Sequence, residues 1–159
     1  IVCPKKILEI GTFTGYSALC LAEGLDKKGV LHTIDENEEL IDFQKKYFDK
    51  SPYKNQIIQH LGKAKEIITQ FNDTFDLIFI DADKNNYLNY YKTLIPKLKK
   101  NGLLIADNVL WSGKVLDKSN DNDSDTLALK DFNRSVKLDQ RVETIILEIR
   151  DGLTICRKI

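Results

Sequence analysis

Apolar residues in this chain gather in short runs rich in Val, Ile, Leu and Phe, and stretches with helical spacing alternate with them. The run Leu77 to Ile80 is nearly unbroken and too short for a buried helix, so it reads as a central strand covered on both faces, and Lys6 to Ile10, Val30 to Ile34, Gln56 to Leu61 and Gly102 to Ala106 read as further strands. Between them the pattern predicts a helix from about Tyr16 to Glu23 that stops at Gly24. A second helix carries Leu40, Ile41, Phe43, Tyr47 and Phe48, with Glu36, Glu38 and Glu39 in its first turn, where carboxylates suit the helix dipole. Ala64, Ile67, Ile68 and Phe71 mark one face of a third. A fourth, capped by Asn85 or Asn86, has the stripe Tyr87, Tyr91, Leu94, Ile95 and Leu98 and ends in Lys97, Lys99, Lys100 and Gly102. Such alternation predicts an α/β fold, a parallel sheet with helices on both faces.

The last third breaks the rhythm. Val142 to Ile149 and Leu153 to Arg157 are strand-like runs separated only by Arg150-Asp151-Gly152, a gap suited to an antiparallel hairpin at one sheet edge. Ahead of them, Asp117 to Asp125 is polar and acidic and reads as a surface loop, with Ser124 or Asp125 capping a helix to about Leu138. A calcium loop starting at Asp121 would need Gly and Glu where Thr126 and Phe132 stand.

Chemistry is expected where strands end. The central run from Phe75 stops on Asp81 and Asp83, and the run from Gly102 stops on Asp107-Asn108; ligands of open α/β sheets bind beyond the carboxyl ends of the strands. Gly11-Thr12-Phe13-Thr14-Gly15 follows the first strand and opens the first helix, whose free amides suit a carboxylate or phosphate. The glycine spacing is neither the dinucleotide fingerprint nor a P-loop. Asp35, ending the second strand, is placed to accept hydrogen bonds from both hydroxyls of a ribose.

Composition narrows the class. At 159 residues and 42% hydrophobic, the chain is large enough for one core and too short for two comfortable domains. Lys+Arg and Asp+Glu both count 24, which argues against a long-range basic field for nucleic acid. Cys3, Cys20 and Cys156 are odd in number and widely spaced, and read as reduced thiols of a cytoplasmic protein. No run is long enough to cross a bilayer and no signal peptide is visible. Ile1 is not an initiator Met and the sequence has no Met, so the chain reads as a fragment, or a processed or incompletely recorded form.

Four motifs, Leu8 to Ser17, Phe79 to Tyr87, Asp107 to Gly113 and Asp151 to Ile155, resemble in order those of the cation-dependent class I O-methyltransferases, the group of the caffeoyl-CoA and catechol enzymes and their bacterial relatives. The resemblance spans essentially the whole chain, residues 1–159, as one Rossmann-like methyltransferase domain. It implies S-adenosylmethionine as cofactor, a mostly parallel seven-stranded sheet whose last strand is antiparallel, and methyl transfer to one hydroxyl of a vicinal aromatic diol. By resemblance, Glu9, Gly11, Thr12, Ser17, Asp35, Ala64 and Asp83 would contact the cofactor, Asp81, Asp107 and Asn108 would hold the metal, and Lys84 would serve as base. It also implies a homodimer and N-terminal helices ahead of the first strand, whereas this chain begins just before that strand. The loop Val115 to Thr126, which helps shape the acceptor site in the family, carries no code for a coenzyme A ester over a free catechol.

Elementary electrostatics agrees. Two carboxylates within about 4 Å repel by roughly 4 kcal/mol at an effective dielectric of 20, which a divalent cation removes. Oxygen donors suit Mg²⁺, Mn²⁺ or Ca²⁺ better than zinc, and three of them leave positions for a bidentate diol. The bland alternatives are capping roles for Asp81 and Asp107 and a solvated Lys84. His32 and His60 read as packed or surface residues, Ser17 as a cofactor contact without a triad, and Trp111 as an aromatic wall for a ring substrate or an anchor for its loop. Rival readings are a nicotinamide-dependent dehydrogenase and a non-catalytic nucleoside-binding protein.

Overall fold

The computed structural model describes residues 2–117 and 122–159. Ile1 and residues 118–121, which include the start of the rejected calcium loop and part of the expected surface loop, lie outside the described residues. In chain order the elements are β1 (Lys6–Ile10), α1 (Tyr16–Glu23), β2 (Val30–Asp35), α2 (Ile41–Lys50), β3 (Ile57–Leu61), α3 (Ala64–Gln70), β4 (Phe75–Ile80), α4 (Tyr87–Leu94), β5 (Leu98–Asp107), α5 (Ser124–Leu138), β6 (Val142–Leu147) and β7 (Leu153–Lys158).

The strands form one seven-stranded sheet in the order β3-β2-β1-β4-β5-β7-β6. Five are parallel, and β7 runs antiparallel between β5 and β6. The apolar run of the central strand β4 is explained by burial on both faces. Leu8, Ile10, Ile34, Ile78, Ile80 and Leu104 pack with Ile68 of α3, Tyr87, Tyr91 and Leu94 of α4, and Leu129, Phe132 and Val136 of α5. The alternate residues Ile7, Leu31 and Leu77 meet Ala18 of α1 and Phe48 of α2 on the opposite face. Each such side chain, fully buried, contributes about 1.5–3 kcal/mol. Strand order reverses between β1 and β4, so the crevice at their carboxyl ends is the topological switch point, the place where such sheets bind ligands.

Four sequence expectations need correction. The helical stripe expected through Leu98 stops at Leu94, because Pro96 has no N–H for the carbonyl of Lys92. The chain turns instead through bonds from the Lys97 amide to Leu94 (2.9 Å) and the Leu98 amide to Ile95 (3.2 Å), and Leu98 then pairs with Phe75. Lys99 and Lys100 therefore belong to β5, where Lys99 Nζ meets Asp76 Oδ1 at 2.7 Å. Asn86 stands at the start of α4 without a side-chain cap, since its amide donates to Asp83. The cap of α5 is Asp123 rather than Ser124 or Asp125; its carboxylate accepts from the Asp125 amide and the Thr126 hydroxyl (2.7 Å). Finally β6 ends at Leu147, not Ile149, because Arg150 (φ 54°) and Gly152 (φ 83°) bend the chain away after the Leu147–Leu153 pair.

His32 and His60 are half-buried on β2 and β3, with Nδ1 of the first 2.9 Å from Nε2 of the second and the rings of Phe71 and Phe75 beside them, which is a packing role. Cys156 is buried while Cys3 and Cys20 are exposed, and all three are free thiols. Among the described residues no helix is long and apolar enough to cross a membrane.

Candidate functional site

The turn after β1 is built so that two loops touch. Gly11 has φ +97°, and a Cβ there would lie 1.8 Å from the carbonyl oxygen of Asp81, so only glycine lets the backbone after β1 meet the backbone after β4. Gly15 (φ +84°) opens α1 with no room for a side chain against the Phe48 ring at 2.8 Å. Main-chain bonds tie the strand ends together: Gly11 N to Ile34 O (2.9 Å), Asp81 N to Ile10 O (2.9 Å) and Gly62 N to Asp35 O (2.8 Å).

These loops enclose a cleft of about 370 Å³ whose walls include Gly11, Asp35, Ala64, Asp81 and Asp83. Five residues singled out from the sequence thus share one space. The Asp35 carboxylate is fixed by the Phe13 amide (2.6 Å to Oδ2) and the Asn37 amide (2.9 Å to Oδ1), leaving further lone pairs toward the cleft. Asp83 Oδ1 accepts from the Tyr90 hydroxyl at 2.6 Å, and Oδ2 from the amide of Asn86. The Phe13 carbonyl is held by Gln44 Nε2 at 2.7 Å.

Glu9 and Thr12 do not line the cleft; both are buried beneath the turn. The Thr33 hydroxyl donates to Glu9 Oε2 at 2.5 Å and shares a second 2.5 Å hydrogen bond with Thr12 Oγ1. Glu9 Oε1 has no hydrogen-bond partner. Burial pushes the Glu9 carboxyl up to about 7, against the opposing pull of the Ser17 and Thr33 hydroxyls. Ser17 is half-buried in the first turn of α1.

A second cluster shares Asp81 with the cleft. Lys84 follows β4 in a 3-10 turn that directs its side chain inward, and it is only 7% exposed, unlike the solvated lysine of the bland reading. Its Nζ lies 3.3 Å from Asp81 Oδ1 and 3.4 Å from Asn108 Oδ1, donates to the Tyr87 hydroxyl, and sits 4.4 Å and 5.7 Å from the Tyr87 and Trp111 ring centres. Desolvation lowers the Lys84 pKa, while Asp81, Asp107 and Asp151 hold it back. Tyr87 in turn donates to the Asp107 carbonyl at 3.0 Å, and burial raises its own pKa further above the ordinary phenol value. Asp107 Oδ1 accepts the Asn108 amide at 2.6 Å, and Asn108 adopts the left-handed conformation (φ 58°) that swings its side chain round. Trp111 is half-buried against the core, with its indole N–H lacking a partner.

Asp81, Asp107 and Asn108 all carry oxygen donors, the ligand type a hard cation takes, and the first and last converge on the Lys84 ammonium. Among the described residues no three His, Cys, Asp or Glu side chains form a metal-binding group. The partners missed from sequence are Tyr87, Tyr90, Gln44 and Asp151. For the first there was a signal: Lys84 and Tyr87 are three apart, neighbours on a helical surface.

Comparison with known proteins gives the site a context. A sequence profile described as O-methyltransferase matches residues 1–159. Caffeoyl-CoA O-methyltransferase 1 of Eucalyptus globulus is 36% identical over 169 residues, covering 100% of this chain and 69% of that protein. Among solved structures, the O-methyltransferase TomG of Streptomyces achromogenes, in complex with SAM, superposes with a TM-score of 0.93 at 25% identity over 99% of this chain and 74% of its own. An O-methyltransferase from Bacillus cereus in complex with SAH gives 0.93 at 27% identity, over 99% and 76%. With a profile match along its whole length and a relative above 30% identity, the chain belongs to the O-methyltransferase family.

Proposed function

We propose that this chain is an S-adenosylmethionine-dependent, divalent-cation-dependent O-methyltransferase that modifies one hydroxyl of a vicinal aromatic diol, of catechol or caffeoyl type. The observation that carries the reading is the meeting of two devices on Asp81: a cleft containing Gly11, Asp35 and Asp83 on one side, and the Lys84–Asn108 cluster on the other. SAM and SAH in the two bacterial structures, and the acceptor named for the Eucalyptus protein, support it.

The residues fit both groups. A cleft of about 370 Å³ lies within the range of roughly 300–1,000 Å³ usual for small-molecule sites. Asp35, held rigid by two amides, would accept the ribose hydroxyls, Ala64 and Asp83 would flank the base, and the turn that begins at Gly11, with Ser17 after it and Glu9 and Thr12 packed beneath, would hold the amino-acid end. Asp81, Asp107 and Asn108 would hold Mg²⁺, Mn²⁺ or Ca²⁺. When bound, the sulfonium supplies the methyl group and the cation lowers the pKa of the acceptor hydroxyl. The protein's own part is alignment and proton removal. Lys84 Nζ, shielded from solvent and with its pKa lowered by that burial, takes the hydroxyl proton, while Tyr87 fixes the ammonium by accepting one of its hydrogens. Trp111, beside Lys84, offers an apolar wall for the ring. Because a cationic donor and an anionic acceptor neutralise each other in the transition state, positioning and water exclusion carry most of the gain.

The test is methyl transfer from SAM to catechol and to caffeoyl-CoA, with EDTA and with Mg²⁺ or Mn²⁺ restored. Turnover that chelation stops and metal restores is expected. Metal-independent turnover would remove the cation from the reading, and SAM binding without turnover on any diol would favour a non-catalytic nucleoside-binding role.

A further inference from the structure

Lys84 is more than a nearby base. Its ammonium lies at the point where Asp81 Oδ1 (3.3 Å) and Asn108 Oδ1 (3.4 Å) converge, two of the three oxygens assigned to the cation. The Tyr87 hydroxyl anchors it, and Tyr87 is tied to the main chain of Asp107, the residue supplying the third. Its stem is buried and starts only three residues from Asp81 on a tight turn, so the charge is held on a short leash. A dication and an ammonium on the same oxygens repel, and because Lys84 is buried while the Asp81 side chain is 44% exposed, water screens only part of that repulsion.

We propose that Lys84 is a tethered counter-ion that exchanges with the divalent cation: the ammonium neutralises Asp81 and braces Asn108, and metal entry requires it to withdraw from these oxygens. The inference rests on the cation reading of the preceding section and adds to it a built-in competitor that sets metal affinity. In such a device the ligand cluster keeps its geometry before metal arrives, at the cost of weaker metal binding than the bare oxygens would give. Tyr87, to which Nζ already donates, keeps the ammonium tethered when it leaves the two oxygens.

The experiment is calorimetric titration of the protein with Mn²⁺ alone, without SAM or acceptor, comparing wild type with Lys84→Met, and with Lys84→Gln as a more polar replacement should the first fold poorly. Removing the competing charge should tighten Mn²⁺ binding by about tenfold or more. In thermal melts, the Lys84 variants should be less stable than wild type in EDTA and gain more from saturating Mn²⁺, since uncompensated Asp81 then awaits the metal. A purely structural lysine would lower stability without tightening Mn²⁺ binding. Asp107→Asn is the control for the underlying reading. If it loses Mn²⁺ binding while the Lys84 variants bind as wild type does, the exchange is refuted and the cation site stands. If Asp107→Asn binds Mn²⁺ as well as wild type does, the site itself is wrong and the exchange falls with it.

Discussion

Replacing Glu9 by Gln tests the electrostatics beneath the turn. The carboxyl is fully buried, receives the Thr33 hydroxyl on one oxygen, and is pushed by burial up to about 7 from its ordinary 4.5 against the pull of the Ser17 and Thr33 hydroxyls. A folded-state pKa above the unfolded value means that, between 4.5 and about 7, the native state binds more protons than the unfolded chain. Stability must then fall as pH rises through that window and level off above it. The size of the fall is roughly 3 kcal/mol at 1.36 kcal/mol per pKa unit. In a protein of this length that corresponds to roughly 6–12 °C in Tm. Gln cannot ionise, so its curve lacks this component, whatever its amide costs by being left without an acceptor; that cost shifts the curve vertically and does not tilt it. Thermal melts of wild type and Glu9→Gln from pH 5 to 8.5 should therefore diverge, the wild type losing ground steadily to the variant. Profiles that stay parallel to within about 2 °C would show that Glu9 is not desolvated as described.

Gly11→Ala should cost more than about 3 kcal/mol in urea unfolding or abolish folding, because its Cβ would overlap the Asp81 carbonyl, whereas Gly113→Ala, with no atom within 4 Å of the added Cβ, should lose only about 1 kcal/mol to its positive φ. Equal losses would mean that the two loops do not touch. Asp35→Asn should weaken SAH binding roughly 10- to 100-fold by calorimetry, the value of charge-assisted hydrogen bonds to a ribose, and unchanged affinity would remove Asp35 from that role. Burial lowers the pKa of both His32 and His60, the former also through its neighbour, so the folded state prefers neutral rings and stability should drop as pH falls below 6.5. His60→Gln should flatten that drop in melts between pH 7 and 5, and an unaltered slope would refute it.

Much of the fold was open to reading because the apolar runs are short and doubly buried while the helices carry one apolar face, two periods that a linear pattern separates. Glycine spacing and strand-ending aspartates likewise marked the crevice, since they reflect needs of the local backbone. The errors fell where a local signal met a stronger one further away. The stripe from Tyr87 ran on through Leu98 in sequence, but Pro96 and the pairing of Leu98 with Phe75 turned that residue into the start of β5. Asn86 had the right side chain for a cap and spent its amide on Asp83.

The site shows the same division. Sequence alone determined the element order, the two-sided sheet, the turn from Gly11 to Gly15 and the oxygen-bearing residues at the strand tips, since each depends on neighbours within a few positions. It marked Lys84 only by resemblance and could not show that its ammonium is buried, that β7 lies between β5 and β6, or that Glu9 lacks a partner for one oxygen. Those were decided by the tertiary structure, because desolvation and the meeting of charges depend on groups brought together by chain crossings, and a pKa or an ion pair is a property of that surrounding space rather than of the residue that carries it.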